Sequence, residues 1–208
     1  MMTRFTWSCA GLTLAAAVAA AAQEQTAAIA VSAPEQVQRH TGTFLRPDVG
    51  VGYLAMNTSD GAMLTGFAET YGAAAGVSIT QRSVVALHVW EAVVRNPSMS
   101  MGGSWGGANS SATLLAIGPE YTAYSKDNYF LSVSPSLTRI TVETNGITGA
   151  TNWGLGLRAA LGKEWWASEH WGLGVVGQLS VSLNEDSGPN APTWTAWATT
   201  IAFSATYN

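Results

Sequence analysis

Hydrophobic and polar residues alternate along most of this chain with a period of two, which is the period of a β-strand. The alternation is clearest from Trp153 to Leu183, where large apolar residues hold every second position in two segments joined by a polar turn at 167–170. Glycine, serine, alanine and a few charges fill the positions between them. This small, polar face suits a narrow interior rather than a water-exposed surface. The pattern therefore predicts a hairpin whose bulky face contacts lipid, as in a transmembrane β-barrel.

The same alternation predicts six further strands. They fall at about 43–57, 66–80, 83–95, 112–124, 131–138 and 197–207. An even number of strands, with connections that are alternately longer and shorter, predicts an all-β fold: an eight-stranded antiparallel up-and-down transmembrane β-barrel with both termini periplasmic.

Two strands carry features that complicate this prediction. The strand at 83–95 has Glu91 on one face and His88 and Trp90 on the other. The sequence therefore does not decide which face of this strand points into the lumen. The strand at 131–138 contains Pro135, which removes one ladder hydrogen bond, and a β-bulge is the expected remedy.

Aromatic residues fall where the two membrane interfaces are expected. Tryptophan and tyrosine favour that boundary because part of the ring is apolar and another part hydrogen-bonds. At the outer end these residues are Trp153, Trp194 and Trp197, and at the periplasmic end they are Tyr121, Tyr129, Trp165, Trp171 and Tyr207.

The composition supports an apolar surrounding. Only 11% of the 208 residues are charged and 47% are hydrophobic, against roughly a quarter charged in a soluble domain.

The long uncharged apolar run lies at the N-terminus, which predicts a cleaved signal peptide at 1–22, with a retained anchor helix as the alternative. A flexible periplasmic tether is expected at 23–42, with His40 exposed in it, and the barrel at 43–208.

The charge balance argues against nucleic acid as a partner. The formal net charge is −4, and the basic residues form no cluster that would contact phosphates.

The alternating strands, the signal peptide and the final strand together resemble the small eight-stranded outer-membrane barrels of Gram-negative bacteria, the OmpA-type and OmpX-type group. Ile201, Phe203 and Tyr207 resemble the outward aromatic signal that the barrel-assembly machinery recognises, although Asn208 rather than an aromatic ends the chain. The resemblance implies a bacterial outer-membrane location and a monomer. It also implies contact with outer-membrane lipid, with lipopolysaccharide and with the assembly machinery.

Inward-facing charges are the first candidate site. Arg46, Asp48, Glu120 and Arg158 share the inward parity, and Glu91 and Glu164 are further candidates. Ionised groups in a narrow interior must pair, because an unpaired buried charge costs several kcal/mol. These residues predict a structural lumen ion cluster, with a gate or proton path as the alternative.

Catalytic, nucleotide and metal sites are disfavoured. The deacylase pattern of lipid A-modifying barrels needs a serine two residues after a histidine, and His40, His88 and His170 all lack it. GLGVVG at 172–177 matches a dinucleotide-binding turn in spacing, but the residues after it continue a strand instead of opening a helix. No cluster has metal-ligand spacing, so no cofactor or metal is expected.

The connection at 96–111 is the second candidate site. Met99, Met101 and Trp105 are expected to be exposed apolar residues in a flexible loop that contacts a surface partner.

The sequence thus predicts a non-enzymatic barrel that contributes to envelope integrity or surface interaction through its extracellular loops. The alternative is a small channel for ions or apolar solutes, resembling the OmpW-type barrels, and a lipid A-modifying enzyme is the third hypothesis.

Overall fold

The computed structural model describes residues 40–100, 104–106, 109–186 and 191–208. The described residues form eleven strands and no helix that is long and apolar enough to cross a membrane. In chain order the strands are β1 Thr43–Thr58, β2 Met63–Thr80, β3 Ser83–Arg95, β4 Ser98–Ser100, β5 Ser104–Gly106, β6 Ser110–Tyr124, β7 Tyr129–Thr144, β8 Ile147–Ala150, β9 Gly154–Trp166, β10 Trp171–Glu185 and β11 Thr193–Tyr207.

Eight long strands close into a barrel. Each pairs antiparallel with its neighbours in the order β1, β2, β3, β6, β7, β9, β10 and β11, and β11 pairs again with β1. Closure leaves no edge strand in the ring, so the backbone hydrogen bonds of every wall are made within the protein. The predicted all-β, eight-stranded antiparallel barrel is confirmed.

The three short strands extend one end of this barrel. Strands β4 and β5 form a hairpin that pairs with the start of β2, and β8 folds back on the end of β7. Asn145 and Gly146, both with positive φ, make the β7–β8 turn. The connection at 96–111, expected to be a flexible loop, contains two short strands, and its backbone extends the sheet beside β2.

The two ends of the barrel differ in the length of their connections. The links at 81–82, 125–128 and 167–170 are short and share one end with the start of β1 and the end of β11. The link between β3 and β6 and the link between β7 and β9, which carry the added strands, lie at the opposite end. Outer-membrane barrels have short periplasmic turns and longer extracellular loops, so we take the short-turn end as periplasmic.

The outer surface of the wall is apolar, as the alternation predicts. On β11 the side chains of Ile201 and Phe203 are 63% and 69% exposed, while Ala202 between them is fully buried. Strand β10 alternates in the same way from Trp171 to Glu185. A surface of this kind faces an apolar solvent.

Aromatic residues mark both rims of the apolar surface. At the periplasmic rim Tyr121, Tyr129, Trp165, Trp171 and Tyr207 are all exposed. The ammonium of Lys163 lies 4.4 Å from the ring centre of Tyr129, at the same rim.

At the outer rim the prediction is correct for two of the three tryptophans. Trp153 and Trp197 are exposed. Trp194 lies at this end, but its side chain is partly buried and packs against interior residues, so it does not belong to the exposed aromatic rim. It stands on the inward parity of β11, one position from Thr193 and Thr195, which are exposed.

The burial of its side chains shows which face of β3 points into the lumen. His88 and Trp90 point inward and are 2% and 1% exposed. Glu91 lies on the opposite face and is only half-buried. The suggestion that Glu91 joins the lumen charges is therefore wrong.

Pro135 faces a second proline across the β6–β7 pair. Cα pairing stops after Ile117↔Leu137 and resumes at Tyr121↔Val133 in the same register, which sets Pro119 opposite Pro135. The expected bulge is absent from this pair of strands, since a bulge would shift the register. Two residues without N–H groups instead share one local interruption of the ladder.

The barrel interior is layered, as the inward residues of β1 show. Phe44 belongs to a periplasmic apolar cluster, Arg46 and Asp48 follow, and Leu54 and Met56 belong to an outer apolar cluster. The larger members of the periplasmic cluster are Phe44, Val84, Tyr124, Phe130 and Val176. Those of the outer cluster are Leu54, Met56, Leu64, Trp90, Val94, Leu114 and Ile140. A polar layer separates the two clusters.

Candidate functional site

Glu120 is the centre of the polar layer. It sits on β6 and accepts a hydrogen bond from Nη2 of Arg46 on β1 through Oε1. Its second oxygen, Oε2, accepts from Nη1 of Arg158 on β9 at 2.8 Å. One carboxylate thus ties together three strands that are far apart in sequence, and each of the three side chains is at most 3% exposed.

Asp48 joins this centre through an amide. Gln178 on β10 donates from Nε2 to Asp48 Oδ1 at 3.1 Å. Its Oε1 accepts from Arg158 Nε at 3.4 Å and from Thr200 at 3.1 Å. The structure thus links Arg46, Glu120 and Arg158 directly and Asp48 through Gln178, and we call these five residues the ionic layer.

His88 lies between the two acids. Its Nε2 is 4.0 Å from Asp48 Oδ2, and its Nδ1 is 3.7 Å from Glu120 Oε2. The ring therefore fills the space between the carboxylates. The sequence analysis did not place His88 at this site, because it left undecided which face of β3 points into the lumen.

Glycines make space for the charged side chains in the narrow lumen. A Cβ built on Gly72 of β2 would lie 2.5 Å from Asp48 Oδ2. A Cβ on Gly172 of β10 would meet the carboxylate of Glu164 in the same way. Gly172 opens the GLGVVG segment, which lies wholly within β10, so this glycine serves packing rather than a phosphate turn.

The charges of the ionic layer balance. Two arginines face two carboxylates, all buried, with hydrogen bonds from Gln178, Thr122 and Thr200. Full pairing is the condition under which ionised groups persist away from water. Apolar clusters lie on both sides of the layer, so side chains fill the lumen at this level and on either side of it.

Glu164 points into the lumen as suggested, but outside the ionic layer. Its Oε2 accepts hydrogen bonds from Thr206 at 2.8 Å and from Tyr124 at 3.4 Å, near the periplasmic end. It belongs to a separate group that closes that end.

His40 takes part in this closure. Its ring stacks on Tyr124 at 3.7 Å between centroids, lies 5.3 Å from Trp166 and hydrogen-bonds to the Asn208 side chain at 3.0 Å. The side chain is 2% exposed, so the expectation of an exposed histidine in a flexible tether is wrong. A pattern of alternating residues does not report such a contact, because His40 precedes the first strand.

The histidines are dispersed rather than gathered for catalysis. His40 and His88 are buried, and His170 in a periplasmic turn bonds to the backbone carbonyl of Asn208 at 3.1 Å. Within the described ranges, no group of three or more His, Cys, Asp or Glu residues is arranged to hold a metal ion.

The second candidate site differs from its prediction. Met99 is half-buried and packs against the outer apolar cluster, so it is not an exposed contact residue. Met101 lies outside the described residues. Trp105 lies in β5, where its backbone pairs with Met99. Ile147, just after the β7–β8 turn, is an apolar residue that stands well exposed at this end, at 77%.

The architecture defines a class: a small eight-stranded barrel with a lipid-facing wall and a lumen filled by side chains. Comparison with solved structures agrees. The chain is similar to Neisserial surface protein A, with 13% identity over 80% of this chain and 97% of that one and a TM-score of 0.55.

Two further similar structures are more distant. The outer-membrane protein OprG of Pseudomonas aeruginosa is 12% identical over 83% of this chain and 99% of its own, with a TM-score of 0.45. The outer-membrane protease OmpT of Escherichia coli is 8% identical over 79% and 96%, with a TM-score of 0.40. No family model and no curated protein matches the chain. The match to Neisserial surface protein A confirms the predicted likeness to small outer-membrane barrels at the level of the fold.

Replacing Arg158 by alanine should destabilise the barrel strongly. The change leaves Glu120 with one arginine and takes a partner from Gln178. We expect a loss of about 3 to 5 kcal/mol in the free energy of unfolding, measured by urea titration in lipid vesicles. Lys163→Ala, which removes an exposed cation over a tyrosine ring, is the control and should cost below about 1 kcal/mol. Equal effects of the two changes would contradict a paired ionic layer.

The pKa of His40 should lie below its usual value of 6.5. Burial lowers this pKa, the Asn208 hydrogen bond opposes the change, and the Arg46 charge adds to the lowering. Because the neutral ring is the favoured form, docking of His40 is fully stable above pH 6.5 and weakens as the pH falls through the lowered pKa. An NMR titration of the His40 ring measures this pKa, and Tyr124→Ala should bring it back toward 6.5. A wild-type pKa at or above 6.5 would rule out the buried stack.

Proposed function

We propose that the protein is a non-enzymatic barrel of the bacterial outer membrane that contributes to envelope integrity or surface interaction through its extracellular end. The observation that carries this proposal is the filled lumen. An ionic layer with matched charges crosses it, and apolar clusters lie above and below. An eight-stranded barrel is only wide enough to be filled by its side chains, so transport through it is disfavoured.

The extracellular end supports the surface part of the proposal. The β7–β8 hairpin and the β4–β5 hairpin extend the wall there, and Ile147 offers an exposed apolar contact. Outer-membrane lipid and lipopolysaccharide are the partners that a lipid-facing wall requires, and the barrel-assembly machinery is the partner for insertion. The dispersed histidines argue against a lipid A-modifying enzyme.

A small channel is the second candidate function, and one observation favours it. Ser180, Ser182 and Ser204 line the lumen from β10 and β11, and their hydroxyls are buried without a hydrogen-bond partner among the described residues. Buried hydroxyls of this kind commonly bind water. Water bound at Ser180 and Ser182 on β10 would lead from the ionic layer toward the outer end, while Ser204 pairs with Asp48 beside that layer.

Planar-bilayer recording separates the two functions. We expect the wild-type chain to give no steady single-channel current, because both apolar clusters stay closed. Arg158→Ala should also stay silent, since it leaves those clusters intact. Reproducible unitary currents from the wild type, absent after boiling the sample, would favour the channel and contradict a closed barrel.

A further inference from the structure

One pair of neighbouring strands in the ring, β1 and β11, is far apart in the chain. Every other pair in the ring joins long strands that follow one another in sequence. No connection therefore holds β1 beside β11. This pair, which we call the closing seam, depends on its own hydrogen-bond ladder and on the side chains that cross it.

The ladder of the closing seam is interrupted near its periplasmic end. It runs without a gap from Thr58 to Asp48 of β1, and then lacks two pairs before Leu45↔Tyr207. Pro47 lies in this gap and has no N–H to donate. On its other edge β1 pairs with β2 through the same residues without a gap. The weak place therefore belongs to the closing seam, where a single pair ends the ladder.

His40 crosses the closing seam just beyond that last pair. Its Nδ1 donates to Oδ1 of Asn208, the residue that follows β11, at 3.0 Å. Since Nδ1 then carries the proton of the neutral ring, Nε2 holds a lone pair. The ring also stacks on Tyr124 of β6 and lies beside Trp166 of β9. The bond to Asn208 is thus anchored on strands away from the seam.

The β10 side of Asn208 is held by different bonds. Its N–H donates to the carbonyl of His170 at 3.0 Å, and its own carbonyl lies 3.1 Å from Nδ1 of His170. These bonds tie the end of β11 to the β9–β10 turn and do not cross the closing seam. Asn208 is therefore fixed on the β10 side, and His40 holds it from the side of β1.

We propose that His40 and Asn208 form a clasp that keeps the periplasmic end of the closing seam shut, and that the seam opens there when the clasp is released. The clasp is separate from the ionic layer, because neither of its residues bonds to Glu120 or Asp48. An imidazole suits a releasable clasp, since its charge changes closer to neutral pH than that of other side chains.

Acid is the condition that releases the clasp. A second proton would sit on Nε2, which has no hydrogen-bond partner among the described residues, in a ring that is 2% exposed. The titratable groups nearest the ring are Arg46, whose charge opposes a second one, and Tyr124, with His170 beyond Asn208. Glu164 would attract that charge, but it already accepts from Tyr124 and Thr206.

The direction of the pH effect follows from this environment. Burial lowers the pKa of His40, the Asn208 hydrogen bond opposes the change, and Arg46 adds to the lowering. The clasp is therefore fully formed above the ordinary pKa of 6.5 and is lost as the pH falls through the lowered pKa.

Hydrogen exchange of the full chain in phosphatidylcholine nanodiscs tests the clasp. The readout is the exchange rate of residues 43–47 and 205–208 divided by that of residues 49–56 and 195–202, in the outer part of the same seam. His40→Phe keeps a ring on Tyr124 but removes the donor to Asn208, so the ratio should rise about fivefold, the size of one hydrogen bond. Asn208→Ala should do the same, and the double variant should add little to either.

His170→Ala is the matched control. It removes a histidine that contacts Asn208 from the β10 side, and it leaves the backbone bond between the two residues in place. The ratio should change by less than about twofold. Lowering the pH from about 7 to about 4 should raise the ratio in wild type and in His170→Ala, but not in His40→Phe. Gel migration before and after boiling checks that each variant is folded.

Three outcomes would overturn the proposal. An unchanged ratio in His40→Phe and in Asn208→Ala would show that the ladder alone holds the seam. Equal acceleration in the outer part of the seam would show opening of the whole barrel instead of one end. A pH response that persists in His40→Phe, or disappears in His170→Ala, would assign the titrating group to His170 and remove His40 from the switch.

Discussion

Closure of the sheet is the constraint on which the rest of the structure depends. Lipid offers no hydrogen-bond partners, so every strand of a spanning sheet must be paired on both sides. Here β1 pairs with both β2 and β11, which closes the ring. The two prolines of the β6–β7 pair face each other, so the hydrogen-bond ladder is interrupted at one place instead of two. A closed ring of eight strands leaves a lumen of side-chain width. The composition of the inward face follows from that width.

The narrow lumen explains why its charges and glycines occur together. The carboxylate of Asp48 fits only because its partner on the neighbouring strand β2, Gly72, has no side chain. A buried carboxylate also needs a cation, and Glu120 has two. Sealed by apolar clusters, such a layer stabilises a closed barrel and does not resemble an open pore. We therefore propose that partners meet the protein on the outside, at the extracellular loops and the lipid-facing wall.

The alternation of residues predicted the ring and the inward parity of Arg46, Asp48, Glu120 and Arg158, because lipid and lumen impose opposite demands on successive positions. It did not settle β3, where Glu91 faces outward near the rim while Trp90 fills the lumen. Near an interface the outward face becomes polar, so the contrast between faces fades. The docking of His40 and the packing of Met99 were missed because His40 precedes the first strand and Met99 lies in a strand of three residues, which is too short to show a period.

The claim that the alternating apolar face meets lipid is tested most directly at Ile201. This residue is 63% exposed and lies about midway between Trp197 and Tyr207 on β11. Arginine in its place should lower the free energy of unfolding in vesicles by about 2 to 4 kcal/mol, as expected near the bilayer centre. Ile147→Arg, at an exposed site beyond the outer rim, should change it by less than about 1 kcal/mol. A negligible effect at both positions would mean that this face is bathed in water, which would contradict the account.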